Sequence, residues 1–428
     1  MAYVPVAFIL AGMAAYTVLA GADFGAGLWT LLSFGPAARS SPSGQRIRDQ
    51  ARHAMGPVWE ANHVWLIFVL VVCWTAYPVA FGSIASTLAA PLLIAAIGII
   101  LRGAAYALRS VADTTAAIGA AENLLGISSV ITPFALGTAV GAIATGRVPV
   151  GNAAGNPVTS WLAPAPVLVG VLAVAFSGYL AAVFLAADSV RYGEGALADA
   201  FRRRALAAGL GSGALALAGL LVMRGSGLSL THGAALALVC VSGAAGLTTL
   251  ALCWASRFGL ARLTAALAVG AVVVGWAAAQ APRFLPGLTV TQAAAGRSTL
   301  VAVVIAVACG LAVLIPSLAL LFTLFLRGRL DTPESHAPGE APAAPSGNGG
   351  AAGPAVTRDD AMRQPKPKAT GGVRGTAGRW GAAAVLGLVT GVGLLVFANA
   401  PWTHVLGVAG LLVCAVAVFT LGASPLDQ

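Results

Sequence analysis

The sequence predicts an all-α, polytopic membrane protein, and three observations carry that prediction. Of its 428 residues 58% are hydrophobic and only 9% charged, whereas soluble domains carry roughly a quarter charged. So little charge could not cover a water-facing surface. The apolar residues fall in long unbroken blocks, mean hydropathy +0.89, as membrane spans require. The basic residues gather in alternate connections between those blocks, where they act as topology signals. The net charge of +10 is therefore assigned to membrane insertion, and nucleic acid is not expected as a partner.

Eleven spans are expected, at residues 4–32, 60–81, 85–108, 124–145, 161–187, 205–223, 233–256, 263–281, 298–326, 380–399 and 405–421. Each offers about the 20 residues that cross ~30 Å of hydrocarbon at 1.5 Å per residue. Glycine and alanine crowd the blocks and favour close helix packing. No basic leader with a small-residue cleavage site precedes the first block, so Met1 is expected to lead into the first helix. One set of loops holds Arg39, Arg46, Arg48 and Arg52, then Arg102 and Arg109, then Arg191 and Arg202 to Arg204, then Arg257 and Arg262. Its last member holds Arg327, Arg329, Arg358, Arg363, Lys366, Lys368, Arg374 and Arg379. The other set holds Arg147, Arg224, Arg283 and Arg297. The richer side is cytoplasmic by the positive-inside rule, which puts the N-terminus outside and the C-terminus inside.

The organisation expected is a nine-helix body over 1–329, a linker over 330–379 and a two-helix membrane tail over 380–428. The linker, with runs such as SHAPGEAPAAPSGNGGAAGPA, is too poor in apolar area to offset chain entropy and is expected to be disordered.

Charge inside hydrocarbon is rare and marks functional positions. Of 14 carboxylates, twelve are expected in loops, the linker or the terminus. Asp23, in GADFGAG, and Glu60, in GPVWEANHVW, fall within spans, both toward the cytoplasmic side of adjacent helices. Sheltered carboxylates can exchange protons near neutral pH, which suggests a proton-uptake relay. The blander reading has Glu60 near a helix end and Asp23 paired with Arg102 or Arg109.

Of the histidines His53, His63, His232, His336 and His404, only His63 lies well within a span. A bis-histidine haem needs two facing ligands, so no haem or metal ligated by this chain is expected. The five cysteines, Cys73, Cys240, Cys253, Cys309 and Cys414, sit in apolar blocks without a C-x-x-C pair and suggest neither disulfides nor zinc. Trp59, Asn62, Trp65, Tyr77, Arg102, Tyr106 and Arg109 gather near the ends of the second and third spans. They form either an aromatic belt with anchoring arginines or an interface that holds an anionic group. ADFG resembles the kinase magnesium motif, but no glycine-rich or catalytic loop accompanies it.

The runs GADFGAGLW, GPVWEANHVWLIFVLVVCWTAYPVAF, LRGAAYALR, TPFALGTAVGAIATG, GWAAAQAPRFLPGLTVTQAAAGRSTL and PSLALLFTLFLRG occur in series. Together they resemble subunit II of cytochrome bd quinol oxidase, over roughly residues 1–329. The resemblance implies nine helices in two four-helix bundles plus one peripheral helix. It also implies a heterodimer with subunit I, which carries haem b and haem d, in a bacterial cytoplasmic membrane. That complex oxidises quinol and reduces dioxygen to water with protons drawn from the cytoplasm. Subunit II in such a complex supports assembly, lines a proton path and is a place for a structural quinone. Carried over by position, Glu60 and Asp23 match acids of the family, Glu60 in the proton path. Trp59 and Arg102 match residues near a haem propionate, with Asn62, His63, Tyr106 and Arg109 in support.

Departures are visible. Glu60 is one methylene longer than the family's usual aspartate, and His63 stands where many members carry glutamate. The linker and last two helices have no counterpart in the typical subunit; they are candidates to pack on the periphery or to replace a small accessory subunit. Membrane lipid is a partner in any case. The rival readings are a proton-coupled transporter using Asp23 and Glu60, and a non-catalytic scaffold.

Overall fold

The computed structural model describes residues 1–33, 46, 50, 59–110, 114–223, 230, 232–326, 386, 390, 406 and 413. Backbone contacts divide the chain into two units, Met1–Ser335 and His336–Gln428. In the second unit Leu386, Thr390, Leu406 and Val413 are helical and exposed. The rest of the expected linker and tail lies outside the described residues, as do His53, His336, His404 and Cys414.

The first unit runs α1 (Val4–Leu32), α2 (Trp59–Ala76), α3 (Pro78–Thr87), α4 (Ala89–Ser110), α5 (Thr115–Ala144), α6 (Pro164–Arg191), α7 (Gly195–Val222), α8 (Gly233–Trp254) and α9 (Phe258–Gln280). A hairpin of β1 (Arg283–Leu285) and β2 (Leu288–Thr289) follows, then the single turn α10 (Val290–Ala293) and α11 (Arg297–Leu326). Among the described residues, α1, α4 to α9 and α11 are long and apolar enough to cross a membrane. The chain is thus a polytopic all-α membrane protein. The apolar part of α2, Ala61–Ala76, is shorter, although its 18 residues still reach ~27 Å, close to the hydrocarbon thickness.

Contacts between helices sort them into two four-membered groups. α1, α2, α4 and α5 form one, with α3 bridging α2 to α4; α6, α7, α8 and α9 close a ring as the other. α11 rests on α2 and α1 at the periphery. The groups join through α6, which packs on α1 and α5, and through α9, which packs on α1. α1 is the shared wall: Ile9 belongs to one buried cluster, Tyr16, Ala20 and Phe24 to a second, and Ala26 to a third.

Several boundaries differ from the sequence expectation. The second span is not one helix over 60–81. Pro78 has no N–H and crowds the residue before it, so Tyr77 leaves the helical region at φ −137°, ψ 61°. The freed carbonyl of Ala76 accepts from the amide of Ala295 at 2.8 Å, which ties the break to the loop before α11. The third span begins at Ala89, not at 85. The fourth begins at Thr115, where the Thr114 hydroxyl accepts from the Ala117 amide at 3.2 Å as an N-cap. It therefore includes residues 115–123, which were expected to be loop. α7 likewise begins at Gly195 and carries Arg202 to Arg204 on the helix. The hairpin was not expected; Gly287 at φ 76° makes its turn.

Close approach of α1 to α6 depends on Gly25. A Cβ there would lie 1.8 Å from the Ser177 carbonyl oxygen and 2.7 Å from the Ala181 methyl. Because the first obstacle is backbone, repacking cannot relieve it. Gly25→Ala is expected to destabilise by about 3 kcal/mol, the upper end for overpacking, read as a lower melting midpoint of the purified protein. Gly243→Ala, where a Cβ meets nothing within 4 Å, is the control and should leave the midpoint nearly unchanged.

Candidate functional site

Where α1, α4 and α5 meet, the apolar interior is interrupted by an arginine. Arg102 is 0% exposed, and a lone arginine at membrane depth costs roughly 3 kcal/mol or more. The chain supplies its solvation. Nη2 donates to Asp23 Oδ1 at 2.6 Å and to the Asp23 carbonyl at 3.2 Å, and Nη1 donates to Ser129 Oγ at 2.5 Å. The Tyr106 hydroxyl lies 3.4 Å from Nη2. The guanidinium carbon stands 5.1 Å from the Phe24 ring centroid and 5.6 Å from that of Tyr106, a further favourable contact for a desolvated cation. The Asp23–Arg102 pair is electrically neutral as a unit.

The GADFGAG motif builds this cluster. Asp23 supplies the charge and Phe24 the ring. Gly27 clears the space between them, since a Cβ there would lie 2.1 Å from Ser129 Oγ and 3.3 Å from Arg102 Nη1. α2 covers the cluster on another side. Asn62, 5% exposed, donates from Nδ2 to the Leu19 carbonyl at 3.4 Å. His63, 9% exposed, has its ring 6.0 Å from the rings of both Tyr16 and Phe24. Asp23 Oδ2 and the Tyr16 hydroxyl are buried without a hydrogen-bond partner among the described residues. Trp59 and Glu60 open α2, with Glu60 three residues before His63; their side chains lie outside the described residues.

The expected residues therefore divide. Asp23, Arg102 and Tyr106 come together, with Asn62 and His63 beside them. Arg109 serves elsewhere: it pairs with Glu122 of α5 at 2.5 Å. Tyr77 lies at the opposite end of α2 and donates from its hydroxyl to the Ala2 carbonyl. Glu122 corrects the expectation that acids other than Asp23 and Glu60 lie in loops, because it is 7% exposed within a helix. Thr114, a good N-cap residue, was the available signal that α5 starts early enough to include it. Ser129 carried no signal, being one hydroxyl among several in an apolar helix. A third pair, Arg262 to Asp188, joins α9 to α6, and the same guanidinium donates to the Phe184 carbonyl at 2.8 Å.

The family model for cytochrome bd terminal oxidase subunit II matches residues 1–325. The chain belongs to this family. A bd oxidase chain from Geobacillus thermodenitrificans superposes with a TM-score of 0.60, covering 76% of this chain and 98% of its own, at 23% sequence identity; that likeness speaks for the fold. No curated protein matches the sequence. Membership in the cytochrome bd subunit II family implies a quinol oxidase complex with a second, haem-bearing subunit.

Haem can be tested against the residues present. Among the described residues of this subunit II chain, no three His, Cys, Asp or Glu side chains gather as metal ligands. Arg102 lies enclosed, with both terminal nitrogens turned to groups of its own chain, so an outside propionate would have to displace Asp23 to reach it.

Replacing Arg102 by Leu would leave the Asp23 carboxylate buried and unpaired, a loss of about 3–5 kcal/mol. A sharply lower melting midpoint or yield of the complex is expected. The Asp23→Asn, Arg102→Leu double variant should recover part of that loss, and a double variant no better than Arg102→Leu alone would show that the two side chains are not coupled.

Proposed function

We propose that this chain is the non-haem partner in a quinol:dioxygen oxidoreductase and that the Asp23 region takes part in delivering protons from the cytoplasm. The observation that carries the reading is the buried Asp23 carboxylate, held through one oxygen by Arg102 while its other oxygen has no partner among the described residues. Such a group can accept a proton on the second oxygen while the first keeps its hydrogen bond to Arg102, the charge pairing being given up for as long as the proton stays. Arg102 then acts on Asp23, stabilising its charged form between transfers, in keeping with what an adjacent opposite charge does.

Further support comes from position. α2 begins at Trp59, so Glu60 is at the end of the bundle that faces the arginine-rich loops, and the positive-inside rule makes that end cytoplasmic. On this reading the N-terminus is outside, and a proton enters near Glu60 before reaching the interior at Asp23. His63 borders the route without replacing either acid. The haems of the partner subunit supply electron transfer and dioxygen reduction. Neutral ion pairs at Arg109–Glu122 and Arg262–Asp188 hold helix ends together and need no part in the transfer.

The intact complex, purified through a tag on this chain, is expected to carry b and d haem bands when reduced. A haem-free monomer that transports a solute in liposomes would end this reading in favour of a proton-coupled carrier. Glu60→Gln is expected to slow oxygen reduction about tenfold or more, the scale of losing a positioned proton carrier, with haem content intact. Asp23→Asn is expected to slow it as well but also to lower the yield of the complex, because it leaves the buried Arg102 without its counter-charge. Unchanged turnover in both variants would remove these acids from the proton path.

A further inference from the structure

A cleft of about 360 Å³ opens on the side of the body between α1, α5, α6 and α7, walled by Trp29, Phe134, Val171, Ala208, Gly211 and Leu215 among others. The wall is almost wholly apolar; Ser212 supplies its one hydroxyl, buried without a partner among the described residues. On α7 the wall residues Ala208, Gly211, Ser212 and Leu215 recur at helical spacing. Arg204 stands one turn before Ala208 on the same face. Its guanidinium carbon is 5.7 Å from the Trp29 ring, itself part of the wall, and 5.7 Å from Phe201. Among the described residues Arg204 forms no ion pair; Nη1 donates only to the Ala200 carbonyl at 3.2 Å. The neighbouring Arg202 instead pairs with Asp199 at 3.3 Å.

We propose that this cleft is a binding site for an anionic phospholipid, with one acyl chain along α7 and the phosphate on Arg204. The dimensions agree. From Arg204 to Leu215 is eleven residues, ~16 Å along the helix, and one leaflet of hydrocarbon is half of about 30 Å, or ~15 Å. Arg204 is also where the apolar part of α7 begins, the depth at which a long basic side chain reaches the headgroups. Charge complementarity selects the headgroup: a guanidinium with no carboxylate of its own binds phosphate through its fork of donors, and a zwitterionic lipid offers it less net attraction.

The test uses the intact detergent-purified complex, stripped of lipid and titrated with phosphatidylglycerol or phosphatidylcholine while native mass spectrometry counts retained molecules. The wild-type complex is expected to hold phosphatidylglycerol in preference to phosphatidylcholine. Arg204→Gln should weaken phosphatidylglycerol about fivefold, the contribution of one basic side chain at a membrane surface. Gly211→Leu should expel both lipids by filling the cleft, at a position where an added Cβ meets nothing within 4 Å. Arg202→Gln is expected to change nothing. Equal retention of the two lipids by the wild type, unchanged binding in Arg204→Gln and Gly211→Leu, or an equal loss in Arg202→Gln would overturn the proposal. So would recovery of an isoprenoid quinone as the molecule that Gly211→Leu displaces.

Discussion

The arrangement of the first bundle depends on one buried charge being neutralised. Arg102 lies wholly inside, where an uncompensated cation would oppose folding by several kcal/mol. The compensation comes from two other helices, a carboxylate from α1 and a hydroxyl from α5. α1, α4 and α5 therefore cannot drift apart without stranding a charge in hydrocarbon. In a bilayer, where apolar burial between helices gives little net drive, such a constraint settles which helices are neighbours and at what depth they meet.

Small residues make the constraint geometrically feasible. The same seven-residue motif that carries Asp23 carries Gly25, which lets the Ser177 carbonyl of α6 approach α1, and Gly27, which lets Ser129 and Arg102 reach their places. One stretch of α1 thus joins the two bundles on one face and houses the ion pair on another. The opposite end of the molecule is organised differently. There the Pro78 break, the hairpin and the loop after α5 interlock: Gly151 and Ala153 donate amides to the hydroxyls of Ser83 and Ser86, and the Tyr77 ring packs on that of Phe284 at 5.0 Å. The end that bears the arginine-rich connections is tied by side-chain ion pairs, and the other by amide-to-hydroxyl hydrogen bonds and ring packing.

Much of this was legible in the sequence. Unbroken apolar blocks and alternating arginine-rich loops located the spans among the described residues, and the place of Asp23 within the first helix followed from its block. The alternative partners offered for Asp23, Arg102 or Arg109, contained the right one. The errors have common causes. Pro78 was absorbed into an apolar run because periodicity does not register a missing N–H. Residues 115–123 were read as loop because Glu122 looked exposed until Arg109 could be placed against it. The hairpin after α9 is too short to alternate visibly.

The sequence by itself determined the solvent, the order of the apolar helices among the described residues, and the presence of Asp23 within one of them. Those properties reside in composition and in position along one chain. Only the tertiary structure decided that Arg102 faces Asp23 while Arg109 faces Glu122, that Ser129 completes the cluster, and that Arg204 guards an apolar cleft. Each of these is a distance between helices far apart in sequence, set by which small residues permit close approach and by the need to pair every buried charge.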